Sequence, residues 1–183
     1  TCGDLFYQQV LLQGALKGLN EVIDYSKNIP MMICLGLPLA IDHHIFNCAV
    51  MIREGEILGV VPKDHLLIAK EYSQITLCNQ IAPFSSQMIF KAVNHDFLRI
   101  GVVIGEDASK PLSSSSYHAL AGATIILNLA AKSEIAGSRE KQMALVSNHS
   151  ASTLTGYLYT SAGAGESSTD GVYAGHHFIY ENG

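Results

Sequence analysis

The sequence predicts an α/β domain with helices packed outside a sheet, and three observations carry that expectation. Apolar residues recur at three-to-four-residue steps over residues 5–25, the period of an amphipathic helix. Beyond residue 96, short apolar runs alternate with helical patterns in the order β-α-β-α-β, which requires a layered arrangement. Hydrophobic residues fill 48% of the 183 positions, enough for a sizeable core.

The first helix takes its apolar stripe from Leu5, Val10, Leu12, Leu16, Leu19 and Ile23, with Asp4 as the expected N-cap. Asn28 and Pro30 end it. Residues 31–37 form a continuous apolar run, the pattern of a strand covered on both faces. Residues 46–52 and 57–61 flank Arg53-Glu54-Gly55-Glu56 and predict a hairpin, with Lys63 just past its second strand. Residues 64–94 carry weak periodicity and are expected to be irregular, apart from one helical turn over 69–72. Strands follow at 97–104, 124–129, 157–161 and 178–180. Helices are expected over 113–121, where the serines offer N-caps, and over 139–154. There is no internal repeat, and the chain is expected to be one domain.

Charge and composition exclude several function classes. A net charge of −5 without any Lys/Arg run argues against a nucleic-acid groove or a polybasic membrane patch. The longest mostly apolar stretch, residues 31–41, is about half the length that a bilayer-spanning helix needs and is interrupted by Gly36 and Pro38. Cys2, Cys34, Cys48 and Cys78 form no C-x-x-C pair, and no basic segment followed by an apolar one opens the chain. Reduced thiols and a cytoplasmic location are the expectation.

A group of motifs then points to a family. They are Cys2-Gly3-Asp4-Leu5-Phe6, Gly36-Leu37-Pro38, Asn47-Cys48-Ala49-Val50, and Gly55 with Ile57-Leu58-Gly59-Val60-Val61-Pro62-Lys63. Glu106-Asp107, Ala119-Leu120-Ala121-Gly122-Ala123, Asn128-Leu129 and Gly163-x-Gly165-Glu166-Ser167-Ser168-Thr169-Asp170 follow. Over nearly its whole length the chain resembles the glutaminase domain of glutamine-dependent NAD synthetases, in the nitrilase (carbon-nitrogen hydrolase) superfamily. The opening Gly-Asp-Leu-Phe and the Gly-Glu-Ser turn resemble the synthetase branch in particular. The resemblance implies a four-layer α-β-β-α sandwich and a Cys-Glu-Lys triad whose cysteine attacks the glutamine side-chain amide. Ammonia released there serves a separate synthetase domain that amidates deamido-NAD with ATP and Mg. No cofactor is expected for this domain itself, and homo-oligomers are expected from the superfamily.

The resemblance assigns roles residue by residue. Such a thiolate needs a base for its proton and a cation for the oxyanion. Lys63 falls at the catalytic lysine, although a lone lysine past a strand is ordinarily a solvated side chain. Glu71 aligns with a second, supporting glutamate; its alternative is a solvent-facing helix position. The nucleophile position is Gly105, in Gly101-Val102-Val103-Ile104-Gly105-Glu106-Asp107, where glycine tolerates the backbone of a strand-to-helix elbow but carries no sulfur. The triad glutamate belongs in a Phe-Pro-Glu strand end upstream of Gly-Asp-Leu-Phe, ahead of the first residue given. The abrupt start and finish predict a fragment cut at both ends, without the synthetase domain.

Pocket positions implied by the family differ as well. Ala69 stands where a tyrosine is usual, Ala130-Ala131-Lys132 replaces Ser-x-Ser, and Ser138 replaces a basic residue after Gly137. Glu106 is a further pocket position, expected with Asp107 to hydrogen-bond the elbow backbone rather than to act as an acid. No cysteine is an evident replacement nucleophile: Cys34 and Cys48 are expected in the core, Cys2 is terminal, and Cys78 lies in the irregular segment. Adjacent histidines His43-His44 and His176-His177 point to opposite faces of a strand and make poor chelators. Ser167, Ser168, Asp170 and His176 have the composition of a serine triad, but the family context makes residues 163–170 a structural or interface turn. No phosphate-cradling glycine motif is present. The sequence therefore predicts a glutaminase-type domain impaired in hydrolysis. A non-catalytic interaction domain of a synthetase assembly, or a divergent amidase or carbamoylase, remains as an alternative.

Overall fold

The computed structural model describes residues 2–63, 72–166 and 171–183. The chain divides into two compact units, residues 3–86 and residues 87–183 with Cys2.

In the unit of residues 3–86, a 3-10 turn at Gly3–Tyr7 leads into helix α1, Gln9–Ser26. The helix begins four residues later than expected, and Gln8, not Asp4, is its N-cap. Gln8 makes no side-chain capping bond, so the start of α1 depends on its buried row, Leu12, Leu19, Ile23 and Ser26; Leu5, Val10 and Leu16 of the expected stripe are exposed, because the helix starts late and turns them outward. The stripe joins one core cluster with Leu37, Leu39, Phe46, Val50, Ile52, Val60 and Phe84. At the helix end Ser26 Oγ donates to the Ile23 carbonyl at 2.7 Å and accepts from Gly55 N–H at 2.9 Å, which ties α1 to the turn of the neighbouring hairpin.

That hairpin is the predicted one. Strands β1 (Met32–Ile41), β2 (His44–Arg53) and β3 (Glu56–Pro62) form an antiparallel sheet in that order. Glu54 and Gly55 turn β2 into β3 with φ of 50° and 86°, the pair of left-handed residues that suits right-twisted strands. β1 differs from expectation. It is an edge strand, with only Leu37 and Leu39 fully buried, and it continues through Gly36 and Pro38 to Ile41. An edge strand can accept Pro38 because the missing N–H need not serve a second neighbour.

The segment expected to be irregular contains three short strands among its described residues: β4 (Gln74–Leu77), β5 (Gln80–Pro83) and β6 (Ile89–Lys91). β4 and β5 form a hairpin whose turn places Cys78 and Asn79 at φ of 49° and 61°. Lacking the usual glycine, that turn gives little signal in the sequence. The helical turn expected over 69–72 falls largely outside the described residues.

In the unit of residues 87–183, β6, β7 (Arg99–Ile104), β8 (Ile125–Ala130), β9 (Gly156–Ser161) and β10 (His177–Tyr180) form one sheet in the order β10-β9-β8-β7-β6. The central three strands are parallel, and β6 and β10 close the edges antiparallel. Helices α2 (Ser114–Leu120) and α3 (Ser138–Thr153) supply the crossovers that parallel neighbours require. Ser113 caps α2, its Oγ accepting from Ser116 N–H at 3.3 Å. The buried row of α3 is Ser138, Gln142, Val146 and Ser150, polar at three of four places, so its amphipathic signal is weak.

Two positions make the packing testable. A β-carbon on Gly101 of β7 would lie 2.8 Å from His118 Cβ of α2, so Gly101→Ala is expected to lower stability by about 1–3 kcal/mol in urea unfolding, through overpacking. Leu154 ends α3 in the left-handed region at φ 54° and is 77% exposed. Leu154→Gly is therefore expected to raise stability by about 1 kcal/mol, seen as a higher urea midpoint with an unchanged slope.

Candidate functional site

The site is built where β7 and β8 end. Ile104 is extended, and the next residue, Gly105, has φ of 57° and opens a 3-10 turn at Gly105–Ser109. The chain thus makes the sharp strand-to-helix elbow that the sequence suggested. A left-handed conformation costs an L-residue with a side chain about 1–2 kcal/mol, and glycine avoids most of that cost.

The turn is held from beneath. Asp107 is buried and its carboxylate meets Lys110 Nζ at 2.7 Å. The Ala108 carbonyl accepts from His149 Nε2 at 2.7 Å, which fixes the ring tautomer with its proton on Nε2. His149 Nδ1 faces Ser115 Oγ at 3.4 Å, and the ring stacks on Tyr157 at 5.6 Å. Tyr157 is fully buried, and burial pushes its hydroxyl up to about 12, so it is a neutral donor and acceptor at physiological pH. Its oxygen accepts from Asn128 Nδ2 at 3.1 Å. On α2, His118 Nε2 donates to the Val102 carbonyl at 3.2 Å. Both elbow-flanking histidines are therefore structural hydrogen-bond donors.

Above the turn lies a cleft of about 770 Å³ whose lining includes Glu106, Lys110, Lys132, Lys141 and Gln142. The volume is in the range of small-molecule sites. Glu106 and Lys132, two positions predicted from the sequence, come together here. Lys110, Lys141 and Gln142 were not anticipated. Gln142 belongs to the buried row of α3, and its Oε1 stands 3.5 Å from Lys132 Nζ. Spacing offered a signal for Lys141, which occupies the first turn of α3, four residues past the N-cap Gly137.

The other predicted positions are placed as follows. Ser138 is buried at the start of α3, where its Oγ accepts from Ile135 N–H at 3.4 Å. Lys63 follows β3 in the other unit, and its backbone N–H donates to the Asn47 carbonyl at 2.9 Å. Ala69, Glu71, Ser167, Ser168 and Asp170 lie outside the described residues. The paired histidines have separate partners: His176 Nε2 meets Glu134 Oε2 at 3.0 Å, and His177 Nδ1 meets Thr160 Oγ1 at 2.8 Å. No helix among the described residues is long and apolar enough to cross a membrane.

No protein-family model matches the sequence. A glutamine-dependent NAD(+) synthetase of Mycobacterium leprae is 32% identical over 193 residues, covering 98% of this chain. The chain spans 28% of the length of that relative. Among solved structures, a glutamine-dependent NAD(+) synthetase from Cytophaga hutchinsonii superposes with a TM-score of 0.79 at 22% identity, over 99% of this chain and 31% of its own. A point variant of a Nesterenkonia amidase from the nitrilase superfamily superposes with a TM-score of 0.71 at 12% identity, over 97% of this chain and 64% of its own. The chain is thus a homologue of glutamine-dependent NAD(+) synthetases along 98% of its own length, and its fold is that of the nitrilase superfamily.

Proposed function

We propose that this chain is the glutaminase-type domain of a glutamine-dependent NAD synthetase homologue, and that it does not hydrolyse glutamine. In an active site of this kind a thiolate attacks the side-chain amide carbon, the C–N bond breaks as nitrogen takes a proton, and ammonia leaves behind a thioester that water resolves. The observation that carries the proposal is Gly105: the elbow keeps its left-handed φ of 57°, yet the residue there has no side chain to form the thioester. Lys63 retains the residue type suited to an oxyanion, but a cation lowers no barrier where no nucleophile attacks. In this reading ammonia transfer to deamido-NAD, with its ATP and Mg, belongs to a synthetase domain.

The cysteines support the same reading. Cys48 is buried in the core of residues 3–86, and none of the four forms a disulfide. Burial pushes the Cys34 thiol up to about 12 and raises Cys48 as well, which leaves almost no thiolate at neutral pH.

Two measurements test this. With native protein at pH 7.5, iodoacetamide is expected to spare Cys34 and Cys48 in peptide mass spectra and to reach them only after unfolding; rapid native labelling of either would reveal an activated thiol. Ammonia release from glutamine is expected to equal that of Lys63→Ala, and a glutamine-mimicking electrophile is expected to leave no adduct. Release above the variant, or an adduct on any side chain, would overturn the proposal.

A further inference from the structure

The segment that leads into β10 is laid along two other parts of its unit. Ser161 N–H donates to the His176 carbonyl at 3.0 Å, and Gly175 N–H donates to the Ala162 carbonyl at 2.9 Å. Glu134, in the connection between β8 and α3, donates its backbone N–H to the Val172 carbonyl at 2.7 Å. The approach is close: a β-carbon on Gly175, whose φ is 67°, would lie 3.1 Å from Gly163 Cα. One side-chain pair spans the same junction. His176 Nε2 stands 3.0 Å from Glu134 Oε2, and both side chains are partly buried.

The surroundings fix how this pair is presented. The His176 ring stacks on Phe178 at 5.8 Å and 17°, and Phe178 stacks on Tyr159 at 5.7 Å and 18°. A ring held in such a stack keeps its Nε2 aimed at the carboxylate. From β9, Tyr159 is the titratable neighbour. It is buried, and burial, with the Glu134 carboxylate as a further cause, raises its hydroxyl above the ordinary range, so it brings no charge near neutrality. The segment itself adds Tyr173, whose hydroxyl is turned to Gly171, and His177, whose Nδ1 meets Thr160 Oγ1 at 2.8 Å. Glu166, in the preceding turn, is exposed.

Neutral His176 donates its Nε2–H to the carboxylate. Uptake of a proton at Nδ1 makes the ring a cation, and the same contact becomes a charge-assisted bond, roughly twice as strong as a neutral one. The added attraction is present in mild acid, where histidine is charged and glutamate is still ionised, and it is lost toward pH 8 as the ring gives up its proton. We propose that Glu134 and His176 form an acid-tightened clasp that locks residues 171–176 onto the β8–α3 connection. The clasp does not depend on whether glutamine is cleaved, since neither residue takes part in the proposed chemistry.

Amide hydrogen exchange followed by NMR on the whole chain is the test, because exchange reads local opening bond by bond. With intrinsic chemical rates divided out, protection of the Glu134 and Gly175 amides is expected to rise about 3-fold from pH 8 to pH 5.5, a gain of the size that a partly exposed ion pair supplies. Gly156 N–H, bonded to the Thr124 carbonyl at the opposite end of β9, is the internal control and is expected to stay constant. Glu134→Gln and His176→Gln each keep a hydrogen-bonding amide but cannot form the charged pair, and each is expected to abolish the rise with circular dichroism unchanged. His177→Gln is expected to leave it intact. Constant protection in the native chain, a rise that survives both clasp variants, a rise lost in His177→Gln, or a rise shared equally by Gly156 would overturn the proposal. So would its loss in Asp170→Asn with Glu134 intact, which would assign the carboxylate to a residue outside the described ones.

Discussion

Parallel pairing of β7, β8 and β9 is the constraint from which the site follows. Parallel neighbours cannot be joined by a tight turn, so each step carries the chain through a helix and back to the same edge. All carboxyl ends then emerge together, and residues distant in sequence, Glu106 and Lys132, line one cleft. The first crossover is short. Its helix, α2, approaches β7 closely enough that Gly101 leaves no room for a β-carbon against His118. The elbow at Gly105 is the continuation of the same strand, so close helix packing and a sharp exit are two demands on one six-residue segment.

Polar groups beneath the elbow carry the second burden. His149 and the buried Ser115, Tyr157 and Asn128 form a connected chain, and His149 ends it on the Ala108 carbonyl. In a low-dielectric interior such bonds are strong when complete and costly when broken. They fix the 3-10 turn that holds Glu106 and the Asp107–Lys110 pair. None of these groups depends on a side chain at position 105, so the support is complete with glycine there.

What the sequence revealed follows the strength of local signals. The Glu54-Gly55 turn and the serine cap of α2 fix their elements through neighbouring residues and are found where expected, whereas of the expected α1 stripe Leu12, Leu19 and Ile23 are buried and Leu5, Val10 and Leu16 are exposed. The β4–β5 hairpin was missed because Cys78 and Asn79 take the left-handed turn without glycine and the strands have four residues each. The exposure of β1 was misjudged because an apolar run states composition, not position in a sheet. Near the cleft, the left-handed turn at Gly105 was legible from its motif. Gln142 was not, because its approach to Lys132 is created by the crossover and leaves no spacing to read, and Lys141 was overlooked although it sits in the first turn of α3.

A nucleophile and a recognition surface make different demands on a scaffold of this kind. A nucleophile requires one atom at one place, and a glycine at an elbow supplies none while fitting the left-handed backbone with least strain. The charged groups that line the cleft come from three elements, so its field does not depend on one position. Ser138 lacks the basic group that the family resemblance implied for its position, and its hydroxyl is turned to a loop amide. Positive charge in the cleft comes instead from Lys132 at a strand end and Lys141 on a helix turn. Gln142, in the buried row of α3, holds its Oε1 3.5 Å from the Lys132 ammonium, so helix packing itself orients that group. The cleft keeps charged and polar groups held by three elements of the fold, whereas the elbow at Gly105 carries no side chain at all.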